Sequence, residues 1–396
     1  MSWRSLDLTT KASAPLAIFA PSGYAYEAEG TKHVVFQGSN GDFESDAQLH
    51  EIWCETGDDW NHVNLTVDSG APPASFFPSG YAYEEERTQH AIYSGDTLNT
   101  GDLGKIYEIY WGADDQKHWN DLTSAGGFGP STNPPIGYDF GGNQIIVFRT
   151  NDGHVWVGER GLTGNWQHYD LNARYGVTAI ANEPPTAFAQ FDPVTNFTYI
   201  HILFYSANGQ IHRFQGSGEA WIYQNVSQYA ESAPPAADRP SGFSYNGGAL
   251  YIVYRSNDGN INILRRGDPN ISPNWEWGLL SGTQGAPTAT PGTLPTAYVF
   301  AFDNTTHVDY ADSAGDIHEI WSSDGLEWNW NPLTQNYGGP SAISSLAAYT
   351  FAKDNSQHII YTGVDHHIWE LQWTPGLREF GPLPNGGTIR PFDRRK

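Results

Sequence analysis

Short runs in which β-branched and aromatic residues crowd together follow one another down the whole chain, each closed by Gly, Pro, Asn or Asp. Such runs read as strands and the punctuation between them as tight turns. One set reads "KHVVF", "QHAIY", "IIVF", "IHILFY", "LYIVY", "THVDY" and "QHIIY". The next reads "QLHEIW", "KIYEIY", "HVWVG", "QIHRF", "NINIL", "DIHEIW" and "HIWELQW". Glycines such as Gly153 and Gly259, in Asn-Asp-Gly triplets between the two sets, supply the positive φ that a tight hairpin needs. These triplets lack the spaced carboxylates of a calcium loop.

The runs recur with a fixed order. An aromatic slot at Tyr24, Tyr81, Tyr138, Phe188, Phe243, Tyr298 and Tyr349 opens a strand in each of seven units, with a Pro three residues before it in every copy except the last, which has Leu346. A Pro there suits the first position of a strand, where no ladder donor is required. The fourth strand is marked by a Trp five residues before an aliphatic one: Trp60 and Leu65, Trp166 and Leu171, Trp221 and Val226, Trp275 and Leu280, Trp328 and Leu333. Unit 2 departs, with Lys117 in the Trp slot. Unit 7 has no fourth strand after Trp373, but the chain begins "WRSLDLT", with Trp3 five residues before Leu8.

Four strands per unit, seven units and a displaced terminal strand predict an all-β, seven-bladed β-propeller of four-stranded blades. The N-terminal strand, residues 2–9, completes the last blade, so pairing of the chain ends removes an exposed sheet edge. The propeller would be one domain over residues 1–376, with blades starting near positions 21, 78, 135, 185, 240, 295 and 346. Residues 377–396 would form a C-terminal tail over one face.

Composition agrees with this architecture: 43 Gly, 25 Pro and 56 aromatic residues, counting 15 Trp, 22 Tyr and 19 Phe, leave no long amphipathic helix in view. A net charge of −24 repels nucleic acid and anionic membrane surfaces. The one cysteine, Cys54, excludes an internal disulfide framework and a Cys-rich zinc site. With no apolar leader segment and no long apolar run, the sequence predicts no membrane insertion and a cytoplasmic or unconventionally secreted protein. No metal or cofactor motif stands out, and the oligomeric state is left open.

The chemistry that recurs is a His on the second strand with a Glu on the third. His307 with Glu319 and His358 with Glu370 are twelve residues apart, and His33 with Glu51 and His90 with Glu108 are eighteen apart, because "GSNGDFESDA" and "GDTLNTGDLG" lengthen the loops of blades 1 and 2. Blade 4 varies the pair as His201 with Arg213, while blades 3 and 5 hold Ile145 with Val157 and Tyr251 with Ile263. Across a hairpin these positions share one face of the sheet. An exposed His–Glu pair would only decorate a blade, at under about 1 kcal/mol. A polar pocket is the other reading, since carboxylate and imidazole hydrogen-bond vicinal hydroxyls and a nearby indole takes the apolar face of a sugar ring.

This order of strands, with a polar residue opening the second and a Glu in the third, resembles the fungal fucose-binding propeller lectins. In that family an Arg fills the first slot, Glu the second, and a Trp or Tyr from a neighbouring strand completes sites between blades. The resemblance implies sugar sites at Glu51, Glu108, Glu319 and Glu370, with His33, His90, His307 and His358 where the family has Arg, and with Trp3, Trp60 and Trp328 stacking on the ring. Those lectins have six blades; seven is similar to the bacterial propeller lectins that bind fucose and O-methylated sugars. The expectation is therefore a multivalent carbohydrate-binding protein with shallow sites in blades 1, 2, 6 and 7 and glycans or glycoconjugates as partners.

Two alternatives stand beside it. Propellers also host a single reaction in an apolar pocket of the tunnel or a face, as in lectin-like cyclases or pericyclases of secondary metabolism. Four near-equal copies suit binding better than catalysis, and no Ser-His-Asp order runs along the chain. A protein-binding propeller is the second alternative, favoured by the acidic surface and the long loops of blades 1 and 2.

Overall fold

The computed structural model describes the chain apart from residues 1, 41–43, 56, 96–103, 132, 163, 193–195, 246–247, 268–273, 283–284, 376–387 and 390–396. Seven antiparallel sheets follow one another, each built from four consecutive strands except where the chain ends meet. Blade 7 is the strands Ala347–Phe351, Ser356–Thr362 and Ile368–Thr374 with Ser2–Asp7 on its outer edge. That edge strand pairs Trp3 with Trp373 and Leu6 with Glu370, so the displaced N-terminal strand closes the propeller. Most of the tail lies outside the described residues. Thr388–Ile389 adds a short fifth strand to blade 6, opposite Trp328 and Asn329.

Apolar side chains bury between blades rather than within one. Seven clusters of buried residues mark the seven junctions; the cluster between blades 7 and 1, for example, joins Tyr349, Ile360 and Ile368 to Val34, Phe36, Ile52 and Trp60. The opening aromatic of each blade lies against the next. A Cβ on Gly80 would stand 2.6 Å from the Tyr24 ring, and one on Gly137 2.3 Å from the Tyr81 ring, so the residue before the aromatic slot must be small. That requirement explains the "SGY" and "IGY" openings.

The Trp and aliphatic markers do not share the outer strand as the sequence suggested. Leu65 is the first residue of a one-turn helix, Leu65–Ser69, capped by the Asn64 side chain, which accepts from the Val67 N–H at 3.0 Å. Asp7, Asp121 and Asp170 cap the equivalent turns. An Asx residue offers its side chain to the backbone and ends the strand one residue before the Leu. Gly153 and Gly259 take the expected left-handed conformation, with φ of +83° and +82°.

Candidate functional site between the blades

All four His–Glu pairs assemble. The Nδ1 of His33, His90, His307 and His358 lies 2.8, 2.8, 2.8 and 2.7 Å from Oε1 of Glu51, Glu108, Glu319 and Glu370. The partners are diagonal rather than directly opposite: His358 faces Gln372 and Glu370 faces Ile360 across the hairpin, one residue away from a register centred on residue 364. His33 likewise faces Trp53, and Glu51 faces Val35. Diagonal neighbours on one face remain within reach of long side chains.

Each imidazole is held by two further contacts. Its ring stacks on the aromatic slot of the same blade, at 5.0 Å for Tyr24, 5.0 Å for Tyr81, 5.1 Å for Tyr298 and 4.6 Å for Tyr349. Nε2 meets the hydroxyl two residues earlier, at 2.6 Å for Thr31, 2.8 Å for Thr88, 2.6 Å for Thr305 and 2.6 Å for Ser356. The pairs are buried, down to 0 % exposure for both His358 and Glu370, and so do not lie on a blade surface.

A hydroxyl–imidazole–carboxylate chain thus forms in space although no Ser-His-Asp order runs along the sequence. In blades 6 and 7 it is not arranged as a nucleophile and its base. The Thr305 hydroxyl donates to Asp303 Oδ1 at 2.5 Å, and that of Ser356 donates to Asp354, so in these blades the hydroxyl proton points away from the imidazole. The hydroxyls of Thr31, Thr305 and Ser356 belong to buried residues. The chain holds the inner part of the blade in register.

Electrostatics follow from this burial. Desolvation, then the charge of the adjacent glutamate, pushes Tyr24 and Tyr349 well above the ordinary phenol value. Burial alone would raise Glu108, but the hydrogen bond and charge of His90 outweigh it and hold the carboxyl low. Blade 6 alone adds Asp309, directly opposite Glu319, where six other blades carry an aliphatic residue. Burial, then the facing glutamate, raises this carboxyl well above the usual range.

What distinguishes the four pairs is the second glutamate oxygen. Asn120 donates to Glu108 Oε2 at 2.9 Å and Asn331 donates to Glu319 Oε2 at 3.3 Å, both from the outer strand. In blade 7 the outer residue opposite the glutamate is Leu6, and Glu370 Oε2 is buried with no partner. Blade 1 has Val63 there, and among the described residues no side chain or backbone group bonds Glu51 Oε2. This carboxylate lines an open cleft.

That cleft, about 220 Å³ in volume, lies at the junction of blades 1 and 2. Thr31, His33, Glu51 and Trp53 come from blade 1, Gln89 and Trp111 from blade 2, and the exposed carboxylates Glu29, Glu55 and Asp115 also line it. Tyr24 ties the two blades together, its hydroxyl donating to Gln89 Oε1 at 3.1 Å. The cleft stands where the fourth-strand Trp is replaced. Lys117 turns its ammonium over Trp111 at 4.9 Å and pairs with Asp115, and Trp111 and Asp115 both line the cleft.

The indoles expected to stack on a ligand are elsewhere. Trp3, Trp60 and Trp328 are 6 %, 6 % and 0 % exposed and pack into the clusters of the 6–7, 7–1 and 5–6 junctions. Their regular spacing in the sequence reflects inter-blade packing, and a buried indole has no free face for a ring. The partly exposed indole of the cleft is Trp53, which the sequence reading passed over; Trp111 also borders the cleft but is 2 % exposed and packs into the 1–2 junction. The signal for them was the Glu-x-Trp of "HEIWC" and the loss of the outer Trp at Lys117. Among the described residues no group of three or more His, Cys, Asp or Glu is arranged to hold a metal ion.

The class defined by these sheets is a seven-bladed β-propeller, and its likeness to solved structures is to lectins. The BP39L lectin from Burkholderia pseudomallei matches with a TM-score of 0.64 and 14 % identity over 90 % of this chain and 96 % of that one. The six-bladed lectin of Aleuria aurantia, described with a novel fucose recognition mode, matches with a TM-score of 0.51 and 17 % identity over 75 % and 90 %. A mutant of that lectin in complex with α-methyl-L-fucoside matches with a TM-score of 0.51 and 16 % identity over 79 % and 93 %. No family model matches the chain, and no curated protein sequence matches it. At these identities the likeness establishes the fold.

Proposed function

We propose that this propeller is a carbohydrate-binding lectin and that its open saccharide site is the cleft between blades 1 and 2. The observation that carries the reading is Glu51: a buried, oriented carboxylate with one oxygen unbonded, in a cleft that Gln89 and the partly exposed indole of Trp53 also line. A carboxylate of this kind accepts from two vicinal hydroxyls, the amide adds a donor and an acceptor, and an indole face covers the C–H side of a pyranose. His33 orients the carboxylate through Oε1 rather than contacting the ligand itself.

The fold shared with the Burkholderia and Aleuria lectins supports the same reading, and the fucose recognition named for the latter makes fucosides the first ligands to try. We propose the pairs His90–Glu108, His307–Glu319 and His358–Glu370 as equivalent positions closed in this conformation: the first and second have their second oxygen bonded by Asn120 and Asn331, and the third is fully buried at the junction whose apolar cluster holds Trp60. The expected stoichiometry is therefore one saccharide per chain at low ligand concentration, with millimolar affinity for a monosaccharide.

A glycan array followed by titration calorimetry tests this. Binding that Glu51→Gln or Trp53→Ala weakens tenfold or more, with the fold intact by circular dichroism, is the expected result. Absence of binding to any saccharide at millimolar concentration overturns it.

A further inference from the structure

The junction between blades 4 and 5 inverts the charge seen at every His–Glu pair. In the slot of the glutamate stands Arg213, 1 % exposed, whose Nη1 donates to His201 Nδ1 at 3.4 Å. His201 Nε2 donates to Gln190 Oε1 at 2.8 Å, so its Nδ1 is free to accept and the imidazole is neutral. Burial, then the charges of Arg213 and Arg266, keeps it so by holding His201 well below its ordinary value. The charge of Arg213 is therefore not compensated by its neighbour.

A second guanidinium is close enough for its charge to act on the first. Arg266, on the third strand of blade 5, is half-buried, and its charge adds to desolvation in drawing Arg213 down to about 9. Among the described residues neither has a carboxylate within ion-pair distance, whereas the adjacent Arg265 pairs with Glu276 at 3.6 Å. The Nε atoms of Arg213 and Arg266 are buried without an acceptor. Gln224, opposite Arg213 on the outer strand, does not bond it, and its own Oε1 also lacks a partner.

Buried cations in one site without an anion carry a large desolvation cost that only a counter-charge offsets. In a chain with a net charge of −24, the absence of a carboxylate partner for either guanidinium among the described residues is the more conspicuous. Trp275 covers the face of Arg213, its ring centre 5.7 Å from the guanidinium carbon, and leaves the N–H edges for an acceptor. A planar guanidinium edge presents paired donors matched to two oxygens of one carboxylate or sulfate.

We propose that the junction of blades 4 and 5 is an anion site in which Arg213 and Arg266 together hold a carboxylate or sulfate group, either of a free ion or of an acidic sugar. The site is separate from the blade 1–2 cleft and does not depend on the lectin reading. Half-buried Arg266 is the side from which the ligand enters.

The test is thermal unfolding of the full chain in low-salt buffer with added sodium sulfate, sodium glucuronate, galactose 6-sulfate, glucose or galactose. The three anions are expected to raise Tm by about 3 °C at saturating concentration while the neutral sugars do not. Stronger action of the two acidic sugars than of sulfate identifies an acidic sugar as ligand; equal action identifies a free anion. In Arg213→Met and in the less buried Arg266→Gln the anion-dependent rise is expected to vanish, and Arg213→Met should unfold no earlier than wild type without anion. An equal rise in wild type and both variants, or none in wild type, overturns the proposal whatever the blade 1–2 cleft binds.

Discussion

The junctions on the two sides of blade 1 contain the same His–Glu unit and differ in the outer residues around it, Leu6 and Trp60 at one and Val63 and Lys117 at the other. Between blades 7 and 1 the His358–Glu370 pair is fully buried, and the buried indole of Trp60 belongs to the apolar cluster of that junction. Between blades 1 and 2 the His33–Glu51 pair has Lys117 in the corresponding slot and faces a cleft of about 220 Å³. Both pairs stack on a tyrosine and both bond a hydroxyl two residues back. The pair is thus a blade-building unit, and the neighbouring blade's outer strand decides whether it can meet a ligand.

Exchanging Trp60 and Lys117 breaks the comparison most directly. Trp60→Lys removes a buried indole and is expected to cost about 3 kcal/mol or more in urea unfolding, while opening a second cleft. Calorimetry should then count more saccharide per chain than in wild type; an unchanged count would detach accessibility from this slot. Truncating the carboxylates comes next. Glu370→Ala leaves His358 without its carboxylate partner in a dry site and should lose about 3 kcal/mol, whereas water entering the cleft limits the loss in Glu51→Ala to about 1 kcal/mol. Equal losses would mean that the two sites are equally dry.

Filling the open cleft has a smaller effect on stability and a larger one on binding. Lys117→Trp is expected to add about 1 kcal/mol of burial and to abolish saccharide binding at the blade 1–2 junction. The smallest expected effect concerns the pair of blade 2. The Glu108 carboxyl is held below its ordinary value of 4.5 in the folded state, so its contribution is present above that value and lost as pH falls through the lowered one. Wild type should therefore lose more stability than Glu108→Gln between neutral pH and pH 3, measured by urea midpoints; parallel curves would remove His90 as the cause.

Much of the architecture was written in local pattern. The aromatic slot, the Pro before it, the paired strand runs and the Trp marker each recur because every blade meets the same two neighbours, so the period and the borrowed N-terminal strand were readable. The pairing of His with Glu was readable too, since side chains on one face of a hairpin follow from alternation. The register was off by one residue, because turn geometry and not symmetry of spacing sets it: in "TGVDHHI" the hairpin places Thr362 opposite Ile368.

Burial and contact between distant segments were not readable in this way. A Trp that recurs at a fixed place carries the same sequence signal whether it stacks on a sugar or fills a junction, and only the packing of Trp3, Trp60 and Trp328 against the preceding blade separated the two. The same holds for Glu51, whose second oxygen faces Val63 across the strand and a cleft lined by Gln89 of another blade, and for Arg213, whose charge is opposed by that of Arg266. The sequence by itself determined the repeat, the strand order, the closure of the ring and which residue types each slot holds, because these follow from nearest-neighbour periodicity. The tertiary structure alone decided which slots are sealed, which are open and which are left uncompensated, because accessibility and charge balance are properties of two blades meeting.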